Sequence, residues 1–553
     1  LKNVRQTKHK QATANEESML RIFTVPEAPD STLGRIEKEI SQNIIGFLNE
    51  HVVAKEQLLG EIEKDFSNAD VPENPHFVSD HTAFLLDKLV AQSVHTASPS
   101  FIGHMTSALP YFMLPLSKIM IALNQNLVKI ETSKAFTPLE RQVLGMMHNL
   151  VYANTDTFYD EYMHSERCSL GAFCSGGTIA NITALWVARN NLFKATADFA
   201  GIAKAGLYRA LMHYGYKGAV VLVSERGHYS LAKSADLLGI GRDDVISITT
   251  DENNRVDVNA MRQQAKALKD QGIAIMAIVG VAGTTETGNI DPLAAMADLA
   301  DELQCHFHVD AAWGGATLFS KQYSALLKGV ERADSVTIDA HKQMYVPMGA
   351  GIVLFKDPEI SSNIEHHAEY VLRKGSKDLG SHTLEGSRPG MALLVYASMH
   401  ILGRKGYELL IDRSIAQAQY FASLIQSQTD FELVSAPELC LLTYRYVPAP
   451  LKALLQCQDP ILIEQINECL DDLTKYVQKR QRETGKSFVS RTRINPSVYG
   501  GQAITVFRVV LANPLTTESI LSDVLAEQRE LAKSSEIALP KLMSILAQWQ
   551  TNS

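Results

Sequence analysis

Apolar positions along this chain repeat with two periods, and the switch between them outlines its architecture. Leu33, Ile36, Ile40, Ile44, Phe47 and Leu48 recur at helical spacing behind a cap-like Asp30-Ser31-Thr32, which predicts an amphipathic helix from Ser31 to His51. Further helical text runs from His81 to Val94 and from Met113 to Leu127, broken by the turn-like Ser98-Pro99-Ser100-Phe101-Ile102-Gly103-His104. Residues 18–133 therefore read as an N-terminal helical segment. Its apolar stripes need a cover, either a partner subunit in a homodimer or the large domain of the same chain.

Thr137-Pro138-Leu139-Glu140 joins a capping-box spacing to a proline suited to the first helical position, so a helix is predicted from there towards Tyr152, opening a large domain over 134–395. Short apolar runs then alternate with helical patterns: Leu170 to Cys174, Ala219 to Ser224, Val245 to Thr249, Ala274 to Val281, His306 to Asp310, Ser335 to Asp339 and Gly351 to Phe355. Such alternation predicts an α/β fold with a mostly parallel sheet covered on both faces and ligands at the carboxyl ends of its strands. After Gly390 the pattern is helical (Met391 to Leu402, Leu409 to Gln426) and later alternating over Ala503 to Leu511, which predicts a smaller C-terminal α+β domain over 396–553.

Candidate chemistry falls at those strand ends. The run Ser335-Val336-Thr337-Ile338-Asp339-Ala340-His341-Lys342 places a lysine where burial disfavours the ammonium and leaves an amine able to form a Schiff base with an aldehyde. One strand earlier, Cys305-His306-Phe307-His308-Val309-Asp310-Ala311-Ala312 ends in a carboxylate, the anion that pyridoxal phosphate needs to keep its ring nitrogen protonated. Cys174-Ser175-Gly176-Gly177-Thr178 opens a helix and offers free amides to a phosphate, although a tight strand-to-helix turn needs glycine in any case. His228, in Ser224-Glu225-Arg226-Gly227-His228-Tyr229-Ser230, can stack on a pyridine ring or serve as an ordinary loop histidine. Gly283-Thr284-Thr285-Glu286-Thr287-Gly288 can bring hydroxyls beside a cofactor, or simply turn the chain.

Composition narrows the classes. With 46% apolar residues in 553, two or three units can be buried. A net charge of −9, from 52 basic and 61 acidic groups, leaves no basic footprint for nucleic acid. No apolar run approaches the about 18 residues of a membrane helix, so no membrane partner is expected. Six cysteines without any C-x-x-C argue against a zinc or other metal site and a disulfide scaffold, and for the cytoplasm. Residues 1–17 are polar and lysine-rich, the text of a disordered tail rather than a secretion signal.

The order of phosphate turn, histidine, aspartate and lysine resembles the group II pyridoxal-phosphate-dependent amino acid decarboxylases, with the His308-Val309-Asp310-Ala311-Ala312 and Asp339-Ala340-His341-Lys342 motifs carrying the likeness from about Phe101 to about Pro514. Ser335-Val336-Thr337 and Val346-Pro347 look like the glutamate branch, and closer still like bacterial members that turn aspartate into β-alanine. The resemblance implies a fold-type I transferase fold, a homodimer, and α-decarboxylation of an acidic amino acid, aspartate first, with glutamate and cysteine sulfinate as alternatives. It also implies roles. Lys342 would carry the cofactor, Asp310 would hold the pyridinium nitrogen, and His228 and Ala312 would pack on the two ring faces. Gly176, Gly177 and Thr178 would hold the phosphate with Asp339 and His341 nearby, and Thr285 would approach cofactor or substrate. Arg508 matches the arginine that grips a substrate carboxylate, and His104 stands where a glutamine contacts substrate in the glutamate branch.

One departure stands out. Family members carry a catalytic tyrosine on a mobile loop, whereas the matching stretch here, Leu372 to Arg388, has none. His382 is the expected acid on that loop, with Tyr370 or His228 as substitutes. Two rival readings follow: an aminotransferase or aldolase-like lyase sharing Asp310 and Lys342, and a binding protein that keeps the fold without the chemistry.

Overall fold

The computed structural model describes residues 32–49, 53–367, 375–457 and 459–552; the expected tail over 1–17, Tyr370 and the first part of the expected lid lie outside the described residues. Seven strands form the main sheet: β1 (Gly171–Cys174), β2 (Gly218–Ser224), β3 (Val245–Ile248), β4 (Ile273–Val281), β5 (His306–Asp310), β6 (Ser335–Asp339) and β7 (Gly351–Phe355), in the order β1-β7-β6-β5-β4-β2-β3. All pair in parallel except β7, which runs against both neighbours. The reason is local: the link between Asp339 and Gly351 carries no helix and is too short for a crossover, so β7 can only return antiparallel. Six strands thus share one direction, which brings the carboxyl ends of β1, β2, β4, β5 and β6 to one edge.

The first helix, α1, spans Thr32–Asn49 and matches the predicted one, whereas Met113–Leu123 (α2) stops short of Leu127. Helix α3 (Phe136–Tyr152) starts before the expected cap. Thr137 lies inside it with its hydroxyl 2.7 Å from Ser133 Oγ, and Glu140 pairs with the buried Arg388 instead of reaching back to close a capping box. Helix α4 (Gly177–Leu192) follows β1 and packs on the sheet.

Beyond the sheet, α5 (Ala392–Ser427) is two helical stretches joined across a kink at Gly403, whose φ of 63° lies in the left-handed region, and the first stretch crosses the 395/396 boundary expected from sequence. A second, wholly antiparallel sheet follows, β8 (Phe431–Ser435), β9 (Leu441–Tyr446), β10 (Ser490–Ile494) and β11 (Ile504–Val510), in the order β10-β11-β9-β8. Helix α6 (Pro460–Thr484) packs on β11, and α7 (Glu518–Lys533) and α8 (Ala538–Asn552) pack on α6. β11 is buried at every position.

Part of the N-terminal segment is stitched to this small domain. Ile102 N–H donates to Phe488 O at 3.0 Å, Val510 N–H to Ile102 O at 2.7 Å, and Asn513 Nδ2 to the carbonyls of Ala97 and Ser98. Helix α2 instead leaves Leu114, Ile119, Ile121 and Leu123 exposed. Among the described residues no helix is long and apolar enough to cross a membrane, and no group of three or more His, Cys, Asp or Glu side chains is placed to hold a metal ion.

Candidate active site

A cavity of about 550 Å³ opens at the carboxyl edge of the main sheet, and among the described residues it gathers every sequence-predicted site residue except His382. Strand β6 hands over to Lys342, whose Nζ stands 3.1 Å from Asp339 Oδ2; His341 Nε2 lies 3.6 Å from the same oxygen. The desolvated lysine expected from the apolar strand is therefore an ion-paired one, with about a fifth of its side chain exposed. Asp339, expected near a phosphate, is engaged with the Lys342 ammonium and lies beside the His341 ring, whose pKa burial lowers, and its Oδ1 is buried without a hydrogen-bond partner.

Asp310 ends β5 with both oxygens held: Oδ2 accepts from Asn181 Nδ2 at 2.9 Å and Oδ1 from Ala312 N–H at 3.1 Å. Behind it runs a buried chain whose proton positions can be deduced. Asn181 Nδ2 donates to Asp310, so its Oδ1 accepts from His308 Nε2–H at 3.0 Å. His308 Nδ1 is then an acceptor and takes the Ser335 hydroxyl at 2.8 Å, which leaves Ser335 Oγ to accept from His306 Nε2 at 2.7 Å. Burial pushes both imidazoles below their ordinary value, in keeping with these neutral tautomers. Sequence reasoning missed this support although a signal was present: His306, His308 and Asp310 alternate on one face of β5, and Asn181 lies one turn along α4 from Gly177.

His228 follows β2. Its Nδ1 accepts from Ser230 N–H (3.3 Å) and lies 2.8 Å from Ser230 Oγ, so in the neutral ring Nε2 carries the proton. Burial is the main cause that lowers its pKa; Lys342 adds to the effect and Asp310 and Asp339 oppose it. Arg508 reaches the cavity from β11. Its Nε donates to Thr285 O at 2.5 Å and Nη1 to Gly103 O and Ser490 Oγ, while burial brings its pKa down to about 10. Beside it His104 accepts from Thr106 N–H at Nδ1, and desolvation, Arg508 and Lys342 all lower its pKa. Arg226 also lines the cavity and was overlooked, although it sits two residues before His228.

His382 departs from expectation. It is buried and does not line the cavity; its Nδ1 meets Ser381 Oγ at 2.8 Å, and Glu365 is 3.9 Å from Nε2. The cause lies in the anchoring of its neighbours: Gly380 N–H donates to Val128 O, Ser381 O accepts from His366 N–H, and Asp378 Oδ1 accepts from Ile130 N–H. Glycines and charges made this stretch look like a free lid, while Leu379 packs with Leu127 and Phe136.

The residues fit pyridoxal phosphate. Asp310 is a carboxylate fixed by two donors, suited as counterion to a cationic ring nitrogen. The first amides of α4 lack partners within the helix and are free to bind a phosphate, and Gly177 is bare because a Cβ there would lie 2.7 Å from Asp339 Oδ2. A lysine stands at the same sheet edge.

Comparison with known proteins agrees with this geometry. Residues 63–447 match the pyridoxal-dependent decarboxylase conserved domain, and the chain belongs to that family of pyridoxal-dependent carboxy-lyases. Over 540 residues it is 66% identical to a protein of Aliivibrio fischeri named aspartate 1-decarboxylase, covering 98% of this chain and 99% of that one. Among solved structures, mouse CSAD superposes with a TM-score of 0.79 at 23% identity, covering 92% of this chain and 100% of that one. Oryza sativa TDC with PLP and tryptamine gives 0.77 at 20%, covering 92% and 99%. These two establish the fold.

Proposed function

We propose that this chain removes the α-carboxyl group of L-aspartate, giving β-alanine and carbon dioxide. The observation that carries the reading is the near full-length likeness to the Aliivibrio fischeri protein of that name. The cavity supports it, because a buried arginine in the same space as Lys342 and Asp310 calls for an anionic side chain.

In this reading Lys342 would hold the cofactor through Nζ, Asp310 would be the counterion of its ring nitrogen, and Gly176, Gly177 and Thr178 would hold its phosphate with His341. His228 and Ala312 would pack on the ring, and Thr285 would lie near it. When bound, pyridoxal phosphate supplies an aldehyde carbon and a cationic ring that accepts the electron pair left by carbon dioxide. Asn181, held in turn by His308 and Ser335, fixes the direction of the Asp310 carboxylate. Asp339 supplies a carboxylate to the ammonium of Lys342. Arg508 orients the substrate by its side-chain acid group, and His104 shapes the space beside it. Of the acids considered for returning a proton to Cα, His228 is the one among the described residues that lines the cavity, and its imidazolium form would deliver that proton.

The exposed face of α2 supports a homodimer, testable by sedimentation, and the six unpaired cysteines suit the cytoplasm. The deciding experiment supplies purified protein and pyridoxal phosphate with aspartate, glutamate, cysteine sulfinate and aromatic amino acids, scoring amine and carbon dioxide. β-Alanine in step with carbon dioxide from aspartate is expected. Preference for another substrate, or nitrogen left on the cofactor without carbon dioxide release, would overturn the reading.

A further inference from the structure

Two guanidinium groups line the cavity, and neither has a matched partner among the described residues. Arg508 donates to neutral oxygens of Thr285, Gly103 and Ser490. Arg226 is 9% exposed and its Nε is buried without a hydrogen-bond partner. Its contact with Glu286, 3.5 Å from Nη1 to Oε2, is long beside the about 2.7–2.9 Å of a charge-assisted bond. Glu286 itself keeps 38% of its side chain in solvent. Thr285 and Glu286 are consecutive, so one turn after β4 engages both arginines, Arg508 through a carbonyl and Arg226 through a loose carboxylate.

A buried guanidinium is costly unless paired, and its planar fork is matched best by an oxyacid. We propose that Arg226 is a specificity-determining residue which, with Arg508, grips the side-chain acid group of the substrate, while Glu286 gives up its place on Arg226 and swings to solvent. The inference rests on the acidic-substrate reading above and names the residues that enforce it. The departing α-carboxylate is the poorer occupant. Its negative charge disappears as carbon dioxide forms, so a firm grip would stabilise the ground state and slow the step. An amino acid without a second acid group would leave Arg508 facing only neutral oxygens and Arg226 only its loose contact with Glu286, which discriminates far better than pocket size does.

The test uses the cofactor-loaded enzyme with Arg226→Gln, Arg226→Lys and Glu286→Gln, measuring aspartate kinetics and competitive inhibition by succinate, a diacid with no amine. In Arg226→Gln both the KM for aspartate and the inhibition constant of succinate should rise about 10- to 100-fold, with kcat within about threefold. Arg226→Lys, which keeps the charge and loses the fork, should fall between. Glu286→Gln, freed of the competing carboxylate, should bind succinate about two- to fivefold more tightly. An unchanged visible cofactor band shows that a variant is folded and loaded. The proposal is overturned if Arg226→Gln lowers kcat with both constants unmoved, or if Glu286→Gln weakens succinate. A wild-type enzyme that decarboxylates no acidic amino acid would sink the functional reading instead. One that decarboxylates aspartate while Arg226→Gln binds succinate normally sinks only this inference.

Discussion

Gly176 to Thr178, His228, Asp310 and Lys342 each follow a strand of one sheet, and a few residues of local sequence put each of them at the cavity. Arg508 and His104 join them from a second sheet and the N-terminal segment, while Thr285 and Arg226 lie on turns that follow β4 and β2. The first set depends on one rigid element, the second on how three parts of the chain pack. Groups for reaction chemistry can therefore be held constant while the specificity groups are altered, and variants in the two sets should fail in different ways. Lys342→Ala should show this most strongly. A loss of at least about 1,000-fold in decarboxylation is expected, with no borohydride-fixable cofactor band. Succinate affinity, read by calorimetry on the cofactor-free protein against cofactor-free wild type, should stay within about threefold because Arg508 and Arg226 are untouched. A parallel collapse of succinate binding would show that the two sets are not separable.

Asp310→Asn comes next. Asparagine keeps the shape and loses the counterion, so kcat should fall about 100-fold or more with a smaller change in KM, and the cofactor band should shift as ring protonation is lost. Arg508→Lys probes the other set. Lysine keeps the charge but cannot serve Thr285 O, Gly103 O and a substrate carboxylate together, so KM for aspartate should rise about 10- to 50-fold and kcat should change less. An Arg508→Lys enzyme that loses kcat at unchanged KM would assign the arginine to the reacting carboxylate and erase the contrast.

The same contrast explains what could be read in the sequence. Strands β5, β6 and β7 lie where the sequence placed them, β7 as an apolar run and β5 and β6 as apolar residues alternating with buried polar ones, and the polar terminal residue of each of those two announces the sheet edge. Lys342 and Asp310 were legible for that reason. Arg226 and Glu286 were not, since a charged residue in a Gly- or Thr-rich turn reads as solvated until packing buries it. His382 failed in the opposite sense: its surroundings read as a free lid, and only the backbone bonds to Val128 and Ile130 reveal that the residues around it are tied down. Antiparallel β7 was missed because direction depends on the length of the connection, which hydrophobic periodicity does not record.

The smallest expected effect separates the two sets by pH. His228 and His104 both lie below the ordinary histidine value of 6.5, so each is neutral at pH 7 and gains its proton only once the pH has fallen below that value. The consequences of that proton differ. On His228 it makes the imidazolium that returns a proton to Cα, so kcat should rise as the pH falls below 6.5. On His104 it adds positive charge next to Arg508, so the KM for an acidic substrate should decrease over the same acidic range, by about two- to fivefold. His104→Gln should abolish the fall in KM and leave the kcat limb in place, measured as separate pH profiles of the two constants. If His104→Gln moved the kcat limb instead, the substrate-side histidine would be taking part in proton transfer, and the division between the sheet-edge set and the packed set would have to be redrawn around it.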